Sequence, residues 1–341
     1  MILDGITPES IAESVALIRA KGIIGLPTET VYGLAADADS AQAVAKIFAA
    51  KGRPADHPLI VHVADAGGVA QFADPVPEFA NRLIAAFWPG PLTLILPRRN
   101  GVAQAAAGGQ NSIGLRCPSH PVAQRLLVAL RDGAPPVWGL AAPSANQFGR
   151  VSPTTAAHVQ SEFGDDLAIL DGGPCTVGIE STIVDCTRGV PVLLRPGAIT
   201  PLQLQAACGL QVLLKDELPA NMEQGPRASG TLEAHYAPKA KLRLMDAPAL
   251  QAALDMLGAD MDAKGSAQPV IATYSRAILR SASSKVVRRR MPDDAAATAQ
   301  QLFAVLREFD AQGVKLIWVE NPPVAPEWQG VADRLARAAA S

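Results

Sequence analysis

The stretch TPESIAESVALIRAKGIIGLPT, residues 7–28, decides the fold class of the first part of the chain. Thr7 and Pro8, followed by an acid, predict a helix start, because a capping hydroxyl, a proline in the first turn and negative charge near the positive dipole end favour one. Gly22 ends this helix, and IIGLPT at 23–28 is typical of a buried strand. A helix that leads straight into a buried strand indicates an α/β fold.

The same alternation continues along the next segments of the chain. Further helices are predicted between the cap Ser40 and the stop Gly52, at 77–87, at 121–131 and after Pro153. Further strands are predicted at 59–63, 92–96, 112–116, 136–142, 167–171, 179–186 and 191–195. Because the last strands follow one another with little helix between them, we expect a twisted mixed parallel and antiparallel sheet with flanking helices, in a domain of residues 1–208.

The pattern changes twice in the remainder of the chain. Residues 209–240 are polar, Gly/Pro-bearing and weakly periodic, which predicts a linker. Over 241–341, the segments KLRLM, PVIATYS, KVVRRRM and VKLIWVE are strand-like and alternate with helices, the clearest at 293–312 between Asp293 as cap and Gly313 as stop. This alternation predicts a small, doubly wound parallel α/β domain. The domain contains no G-x-G-x-x-G, so a dinucleotide site there has little support.

The composition excludes several classes of protein. Of the 341 residues, 49% are hydrophobic and 18% are charged, which excludes a disordered chain. Aromatic residues make up only 4%, which argues against an RNA-binding face of stacked rings. The net charge of −2 argues against a non-specific nucleic-acid coat but leaves room for a local basic pocket. The longest apolar runs are too short to span a membrane, so no membrane partner is expected.

The cysteines indicate a reduced compartment. No two of Cys117, Cys175, Cys186 and Cys208 have C-x-x-C spacing, so a structural zinc site is not expected. The first residues carry two acids and no secretory leader. We therefore expect a cytoplasmic protein.

Reactive side chains gather first in two stretches. PTETVYGL at 27–34 comes directly after a strand, where α/β proteins bind ligands, although its threonines would equally satisfy loose backbone groups of a turn. KGRPADHPLIVH at 51–62 carries two cations and two histidines. Lys51 also suits a helix C-terminus, whereas Arg53 has the geometry to grip phosphate oxygens. His62 could equally be a core histidine whose hydrogen bonds are made within the protein or a residue that binds a ligand.

Two later stretches are equally unusual. SIGLRCP at 112–118 places Arg116 inside an apolar strand, so its guanidinium must meet a carboxylate, either of the protein or of a ligand. APSANQFGRVSPT at 142–154 is either an ordinary connection or a loop whose backbone N–H groups and hydroxyls approach an anion. It is not a P-loop, because G-x-x-x-x-G-K-[ST] is absent from the chain.

These pieces, with Ser181 in GIESTIVD and Arg195 in LLRPG, indicate a pocket for a phosphorylated ligand. No Ser-His-Asp order and no Cys–His nucleophile arrangement is evident. No carboxylate cluster predicts a metal cage, so Mg²⁺ is expected to be carried by the substrate phosphates.

Several motifs in the same order resemble the YrdC-like family of threonylcarbamoyl-AMP synthases. The resemblance rests on K-x-R at 51–53, S-x-N at 144–146, PTETVYGL, GIESTIVD and LRPG, and covers roughly residues 8–205. HYAPKAKL at 235–242, followed by a small α/β domain, resembles the long two-domain form. The resemblance implies a YrdC-like domain at 1–208, a linker and active-site lid at 209–240, and a small Rossmann-like domain at 241–341.

The family resemblance implies a nucleotidyltransferase reaction. L-threonine, bicarbonate and ATP would give threonylcarbamoyl-AMP and pyrophosphate, with Mg²⁺ accompanying ATP. The product would serve N6-threonylcarbamoyladenosine formation in tRNA through downstream transfer enzymes, so tRNA would be only an indirect partner. A carbamate oxygen of threonine would attack the α-phosphorus, and lid closure would keep water from a labile mixed anhydride.

The resemblance also implies site residues, carried over by matching position. Those expected around threonine are Thr30, His62, Arg116, Ala142 through its backbone, and Ser181. Those expected to contact ATP are Lys51, Arg53, His57, Ser112, Ser144, Asn146, Ser152, Arg195 and Tyr236. Lys51 and Arg53 are the expected catalytic residues, because fixed cations stabilise charge that develops on the leaving group.

Two positions depart from the family pattern. Many relatives carry Asn where this chain has His57, which affects the expected phosphate contact. Relatives often have Pro before the linker glycine, whereas here Ser229 precedes Gly230.

Two rival functions come from other classes. One is a non-catalytic RNA-binding module that uses the same basic cleft, against which the low aromatic content and near-neutral charge argue. The other is a carbamoyltransferase of the hydrogenase-maturation type, whose members share the YrdC-like domain but carry extra zinc-binding cysteine pairs that this chain lacks.

Overall fold

The computed structural model describes residues 1–218, 225–230, 235–262 and 270–341. It divides into two compact units: Met1–Phe148 with Ser152–Thr231, and Gly149–Val151 with Leu232–Ser341. Parts of the predicted linker, at 219–224 and 231–234, and the first residue of PVIATYS lie outside the described residues. Within the described ranges, no helix is long and apolar enough to cross a membrane.

The first unit is built from helices and strands that mostly follow the predicted alternation. Its helices are α1 Pro8–Arg19, α2 Ala41–Lys51, α3 Val69–Phe72, α4 Glu78–Phe87, α5 Pro121–Arg131, α6 Ala156–Phe163 and α7 Pro201–Cys208. Its strands are β1 Ile2–Asp4, β2 Ile24–Leu26, β3 Gly33–Asp37, β4 Ile60–Val63, β5 Leu92–Pro97, β6 Ser112–Arg116, β7 Gly139–Ala141, β8 Ile169–Asp171, β9 Thr182–Asp185, β10 Val192–Arg195 and β11 Leu213–Leu214.

These strands form one sheet in the order β1-β8-β2-β3-β7-β4-β6-β5-β9-β10-β11. β4 and β6 pair in parallel, as do β5 and β9, whereas β3 pairs antiparallel with β7 and β5 pairs antiparallel with β6. The predicted mixed sheet is therefore confirmed. A one-residue shift between Leu193 and Arg195 interrupts the β9–β10 pairing.

The two faces of this sheet are covered differently. One face is buried along its length by a core that includes residues of α2, α4, α6 and α7. On the other face, α1 and α5 pack over β2, β3, β7 and β8. Successive strand side chains point to opposite faces, and Val61 and Val63 belong to the first core, so Ile60 and His62 point to the second face. On this face, β4, β6 and β5 carry the buried polar side chains His62, Arg116 and Thr93 beside isoleucines such as Ile60 and Ile95.

The second unit is a four-stranded parallel sheet with helices. Its elements are β12 Lys241–Met245, α8 Ala247–Asp262, β13 Ile271–Ser275, β14 Val286–Arg290, α9 Ala295–Ala311, β15 Leu316–Glu320 and α10 Gln329–Ala339. The strand order is β12-β15-β13-β14, and every pair is parallel. The predicted small parallel α/β architecture is confirmed.

The sequence pattern did not predict two elements, β3 and α7, and one predicted helix cap was wrong. The residues of β3, GLAAD, have low strand propensity, and pairing with β2 and β7 makes them a strand. Helix α7 was missed, although Thr200 and Gln203 form a capping box around a first-turn proline. The cap of α9 is Asp294, whose side chain accepts a hydrogen bond from the backbone N–H of Ala297, and not Asp293.

Candidate active site

Arg116 is the centre of a buried polar group on the second face of the sheet. It stands at the end of β6, 4% exposed, and its Nη1 donates a 2.8 Å hydrogen bond to Thr30 Oγ1. Thr30 belongs to the loop between β2 and β3, where its hydroxyl lies 2.9 Å from that of Thr28. The loop after β2 and the end of β6 are thus joined at the predicted threonine-binding residues.

Glu29 is the carboxylate that the buried position of Arg116 demanded. Its Oε1 lies 2.6 Å from Arg116 Nη2, and both side chains are about 95% buried. Its Oε2 accepts a hydrogen bond from the backbone N–H of Ser119. The sequence predicted a carboxylate partner for Arg116, either of the protein or of a ligand, but did not identify Glu29, which stands between two of the threonines in PTETVYGL. We refer to Glu29, Thr30, His62 and Arg116 as the Arg116 cluster.

His62 belongs to this cluster through the register of the sheet. On β4 it lies opposite Arg116 of β6 on one side and Leu140 of β7 on the other. Burial, and then the positive charge of Arg116, lower the pKa of His62 to about 3. The imidazole is therefore neutral at physiological pH. It is suited to accept a hydrogen bond from a ligand or to donate one to it, not to carry a positive charge.

Ser181 connects the Arg116 cluster to Arg195. Thr93 of β5 lies opposite Arg116, and its hydroxyl is 2.7 Å from that of Ser181. Arg195 Nη2 donates to both the hydroxyl and the carbonyl of Ser181, at 3.1 and 2.9 Å. The backbone N–H of Ala142 donates to Ile60 O, so this predicted contact lies beside β4. All five predicted threonine-site residues therefore belong to neighbouring strands or loops of one sheet face.

Lys51 is the last residue of α2, but its side chain does not bind the carbonyls at the end of that helix. Its Nζ donates to the backbone carbonyls of Ser144 and Asn146, so the K-x-R and S-x-N segments are in contact. The side chain is fully buried, and burial, followed by repulsion from Arg53, lowers the pKa of Lys51 to about 7. Without a ligand, Lys51 therefore carries only part of a positive charge near neutral pH.

Arg53 and His57 flank an aromatic ring. The Arg53 guanidinium carbon lies 5.8 Å from the ring centroid of Phe148, and the His57 ring meets the same ring edge-on at 5.5 Å. Arg53 Nη2 also donates to the carbonyl of Pro58 at 2.8 Å. Burial, and then the charge of Arg53, lower the pKa of His57.

Ser229, within the predicted linker, contacts both Arg53 and Arg195. Its hydroxyl accepts a 3.1 Å hydrogen bond from Arg53 Nη2, and its carbonyl accepts a 3.0 Å bond from Arg195 Nη1. The same hydroxyl donates to Pro58 O at 2.8 Å. A proline at this position would supply no hydroxyl, so this departure from the family pattern adds two contacts.

Ser112 opens onto a pocket beside Ser229. The pocket lies on the second face of the sheet and is lined by Pro58, Leu59, Ile60, Thr93, Ile95, Gln110, Ser112, Gly114, Ile183, Arg227, Ala228 and Ser229. Gln110 Oε1 accepts the backbone N–H of Arg227 at 2.8 Å, which fixes segment 225–230 along the pocket. Ser152 joins the set from another side, because its buried hydroxyl donates to Glu180 Oε1, next to Ser181.

Tyr236 belongs to the second unit. It is 1% exposed, has a positive φ of 63°, and stacks on Phe303 with ring centroids 5.5 Å apart. Arg334 lies 5.3 Å over the same ring, and the backbone N–H of His235 donates to Arg337 O. Its expected contact with ATP stays a prediction.

The remaining predicted residues form one connected set in the first unit. At one end of this set, Arg53 and Arg195 lie beside Ser229. At the other end, Arg116 is paired with Glu29. Such a surface can bind a polyanion beside a smaller ligand that carries both charges. Among the residues that the structure describes, no three His, Cys, Asp or Glu side chains gather as a metal site.

The chain matches two family models. The Sua5/YciO/YrdC model, described as telomere recombination, matches residues 16–197. The model described as the C-terminal domain of threonylcarbamoyl-AMP synthase matches residues 199–340.

Similar proteins share both halves of the chain. A Bacillus subtilis protein named threonylcarbamoyl-AMP synthase is 38% identical over 96% of this chain and 92% of its own length. A Pyrococcus abyssi protein of the same name is 36% identical over 94% of this chain and 91% of its own. The crystal structure of P. abyssi Sua5 complexed with L-threonine matches 99% of this chain and 97% of that one, with a TM-score of 0.86 and 32% identity.

The pKa of Lys51 predicts a proton uptake when a polyanion binds. The sequence predicts that ATP phosphates lie beside Lys51, where they would raise its pKa. ATP binding at pH 8 should then take up part of a proton, and ATP affinity should fall with rising pH above 7 by at most about tenfold per unit. Calorimetry in two buffers of different ionisation enthalpy measures the uptake.

The Lys51→Arg variant is the matched control, because an arginine keeps its charge through this range. It should bind ATP without that proton uptake and with a flatter pH dependence. Equal uptake in both proteins would contradict the assignment of the proton to Lys51.

Proposed function

The chain belongs to the Sua5/YciO/YrdC family, in the form that carries the C-terminal domain of threonylcarbamoyl-AMP synthase, and from this premise we propose that it condenses L-threonine, bicarbonate and ATP into threonylcarbamoyl-AMP and pyrophosphate. The relatives that cover more than nine tenths of the chain carry this activity in their names. The observation that carries the proposal is the link from Arg53 through Ser229 and Arg195 to Ser181 and the Arg116 cluster.

The cationic end of the site suits a triphosphate. Lys51, Arg53 and Arg195 are fixed by hydrogen bonds to carbonyls or hydroxyls of the loops around them. Such preorganised cations stabilise negative charge that moves onto pyrophosphate as it leaves. The hydroxyls and amide of Ser112, Ser144, Asn146 and Ser152 would add contacts to ATP. In this reading Lys51 and Arg53 act as catalytic residues by stabilising charge.

The Arg116 cluster suits an amino acid. A planar guanidinium matches a planar carboxylate, and Thr30, His62 and Ser181 offer neutral hydrogen-bonding groups beside it. Once threonine carries a carbamate, a carbamate oxygen attacks the α-phosphorus of ATP. The protein's contribution is mainly to hold two anions in line, and such positioning supplies about 7–11 kcal/mol in favourable cases.

Several finer features complete the proposal. Mg²⁺ would enter with ATP on its phosphates, since these carry the oxygen ligands that Mg²⁺ prefers. Bicarbonate would provide the carbamate carbon. The product would pass to downstream threonylcarbamoyl-transfer enzymes that act on tRNA, in the cytoplasm. Residues 1–208 would form the catalytic domain, 209–240 the linker and lid, and 241–341 the C-terminal domain.

The proposed reaction predicts that all three substrates are needed together. Purified protein with ATP, L-threonine and bicarbonate should release pyrophosphate, and omission of any one should reduce the rate to background. Product should be identified as threonylcarbamoyl-AMP by mass spectrometry. Tight RNA binding without pyrophosphate release in the complete mixture would favour the RNA-binding alternative instead.

Arg53→Ala should lower the rate of adenylate formation by at least about tenfold, because it removes a cation from the proposed phosphate site. The measurement is kcat/KM for ATP from pyrophosphate release. Arg82→Ala is a matched control, since Arg82 of α4 is more than half exposed and pairs only with Glu78 among its described ion-pair partners. Wild-type turnover of the Arg53 variant would remove this residue from the phosphate site.

Tyr236→Ala should raise the KM for ATP or lower the yield of adenylate per pyrophosphate, because the residue is proposed to be part of the lid. Tyr236→Phe keeps the ring that stacks on Phe303 but removes the hydroxyl, so it distinguishes an effect of the ring from an effect of the hydroxyl. Kinetics and product yield are measured for both variants. Unchanged values with alanine would mean that the HYAP segment is only a tether.

A further inference from the structure

Buried polar atoms without hydrogen bonds concentrate in the Arg116 cluster. Within the described ranges of the chain, Glu29 Oε1, Arg116 Nε, Arg116 Nη2 and His62 Nδ1 are buried and have no hydrogen-bond partner. Glu29 Oε1 and Arg116 Nη2 are 2.6 Å apart as an ion pair, but they are not aligned as a hydrogen bond. Native proteins rarely leave buried polar groups in this state, so a group that is absent from the chain itself is expected to complete them.

The chemistry of these atoms defines what can complete them. The guanidinium atoms are donors only, the ionised carboxylate oxygen is an acceptor only, and the neutral imidazole offers an acceptor or a donor. A ligand that satisfies them must present acceptors and donors a few ångströms apart, with opposite charges. An α-amino acid zwitterion has this arrangement, since its carboxylate accepts and its ammonium donates.

Nearby contacts connect this cluster to the pocket. Thr93 lines the pocket and lies opposite Arg116 in the sheet register. Its hydroxyl is 2.7 Å from Ser181, which in turn accepts from Arg195. An amino acid held at the Arg116 cluster would thus lie next to the proposed nucleotide site.

We propose that Glu29 is a substrate-binding residue whose Oε1 accepts an N–H of the amino acid's α-amino group, while Arg116 binds its carboxylate. This deepens the proposed function and rests on it. A carbamate nitrogen still keeps one hydrogen, so Glu29 can hold the same nitrogen before and after the carbamate forms. That contact fixes the direction in which the carbamate points.

A purely structural role for Glu29 makes a different prediction. Glu29 Oε2 is held by Ser119 N, and the backbone carbonyl of Glu29 accepts from Val177 N, so the residue is firmly placed. If its side chain served only to orient Arg116, its loss would weaken every ligand that carries a carboxylate. If it binds the amino group, its loss would weaken only ligands that carry that group.

The test measures the binding of three probes to the full chain by calorimetry or by competition with L-threonine. The probes are L-threonine, 3-hydroxybutanoate, which lacks the amino group, and L-threoninol, which lacks the carboxylate. Glu29→Gln should weaken L-threonine and L-threoninol by at least about tenfold and change 3-hydroxybutanoate by less than about threefold. Arg116→Lys should show the reverse preference, weakening L-threonine and 3-hydroxybutanoate more than L-threoninol.

A parallel loss of L-threonine and 3-hydroxybutanoate affinity in Glu29→Gln would overturn the proposal, and so would unchanged affinity for all three probes. Glu29→Asp keeps the charge and provides a second variant if Gln disturbs folding, which circular dichroism checks. It should lose less L-threonine affinity than Gln does. Equal losses of amine-bearing and amine-free probes in the Asp variant would also overturn the proposal.

Glu320→Gln is a matched control, because Glu320 is a similarly buried acid of the second unit that pairs with Arg276. Its threonine affinity should stay unchanged. Measurements on the wild-type protein distinguish a failure of this proposal from a failure of the proposed function. Wild-type threonine binding without any threonine-dependent pyrophosphate release would refute the function, whereas normal wild-type turnover with the wrong probe pattern in Glu29 variants would refute only the role of Glu29.

Discussion

The buried guanidinium of Arg116 is the constraint on which the site depends. An uncompensated charge in the interior is costly, so the fold must supply an anion and further polar partners around it. Glu29 and Thr30 do so from the loop after β2, which ties two distant segments of the chain together. The remaining unsatisfied donors and acceptors are then available to a substrate, so one arrangement serves both the fold and the site.

The asymmetry of the sheet explains why polar groups collect where they do. α1 and α5 cover only part of the second face, over β2, β3, β7 and β8. On the uncovered strands, the positions that point to this face carry His62, Arg116 and Thr93, while their neighbours build the apolar core on the other side. Because successive side chains of a strand point to opposite faces, residues that stabilise the core alternate with residues that form the candidate site.

Segment 225–230 adds contacts to the candidate site that the strands of the sheet do not provide. Ser229 links Arg53 to Arg195, and Gln110 holds the backbone of Arg227 through its side-chain amide. Arg53, which follows α2, and Arg195, at the end of β10, are thereby brought into one surface. Burial, and then repulsion from Arg53, lower the pKa of Lys51, and a bound polyanion would offset both effects.

Local signals in the sequence determined most elements and the order of the motifs. Caps and stops such as Ser40 and Gly52 act within a few residues, and the apolar strand 112–116 has a clear pattern, so both are readable without tertiary contacts. The motif spacing also led to the correct family. Tertiary structure alone decided that GLAAD at 33–37 is a strand, because its neighbours in the sheet pair with it. It also decided that Glu29 is the partner of Arg116 and that Ser229 joins Arg53 to Arg195, since these contacts join residues 87, 176 and 34 positions apart, for which sequence periodicity carries no information.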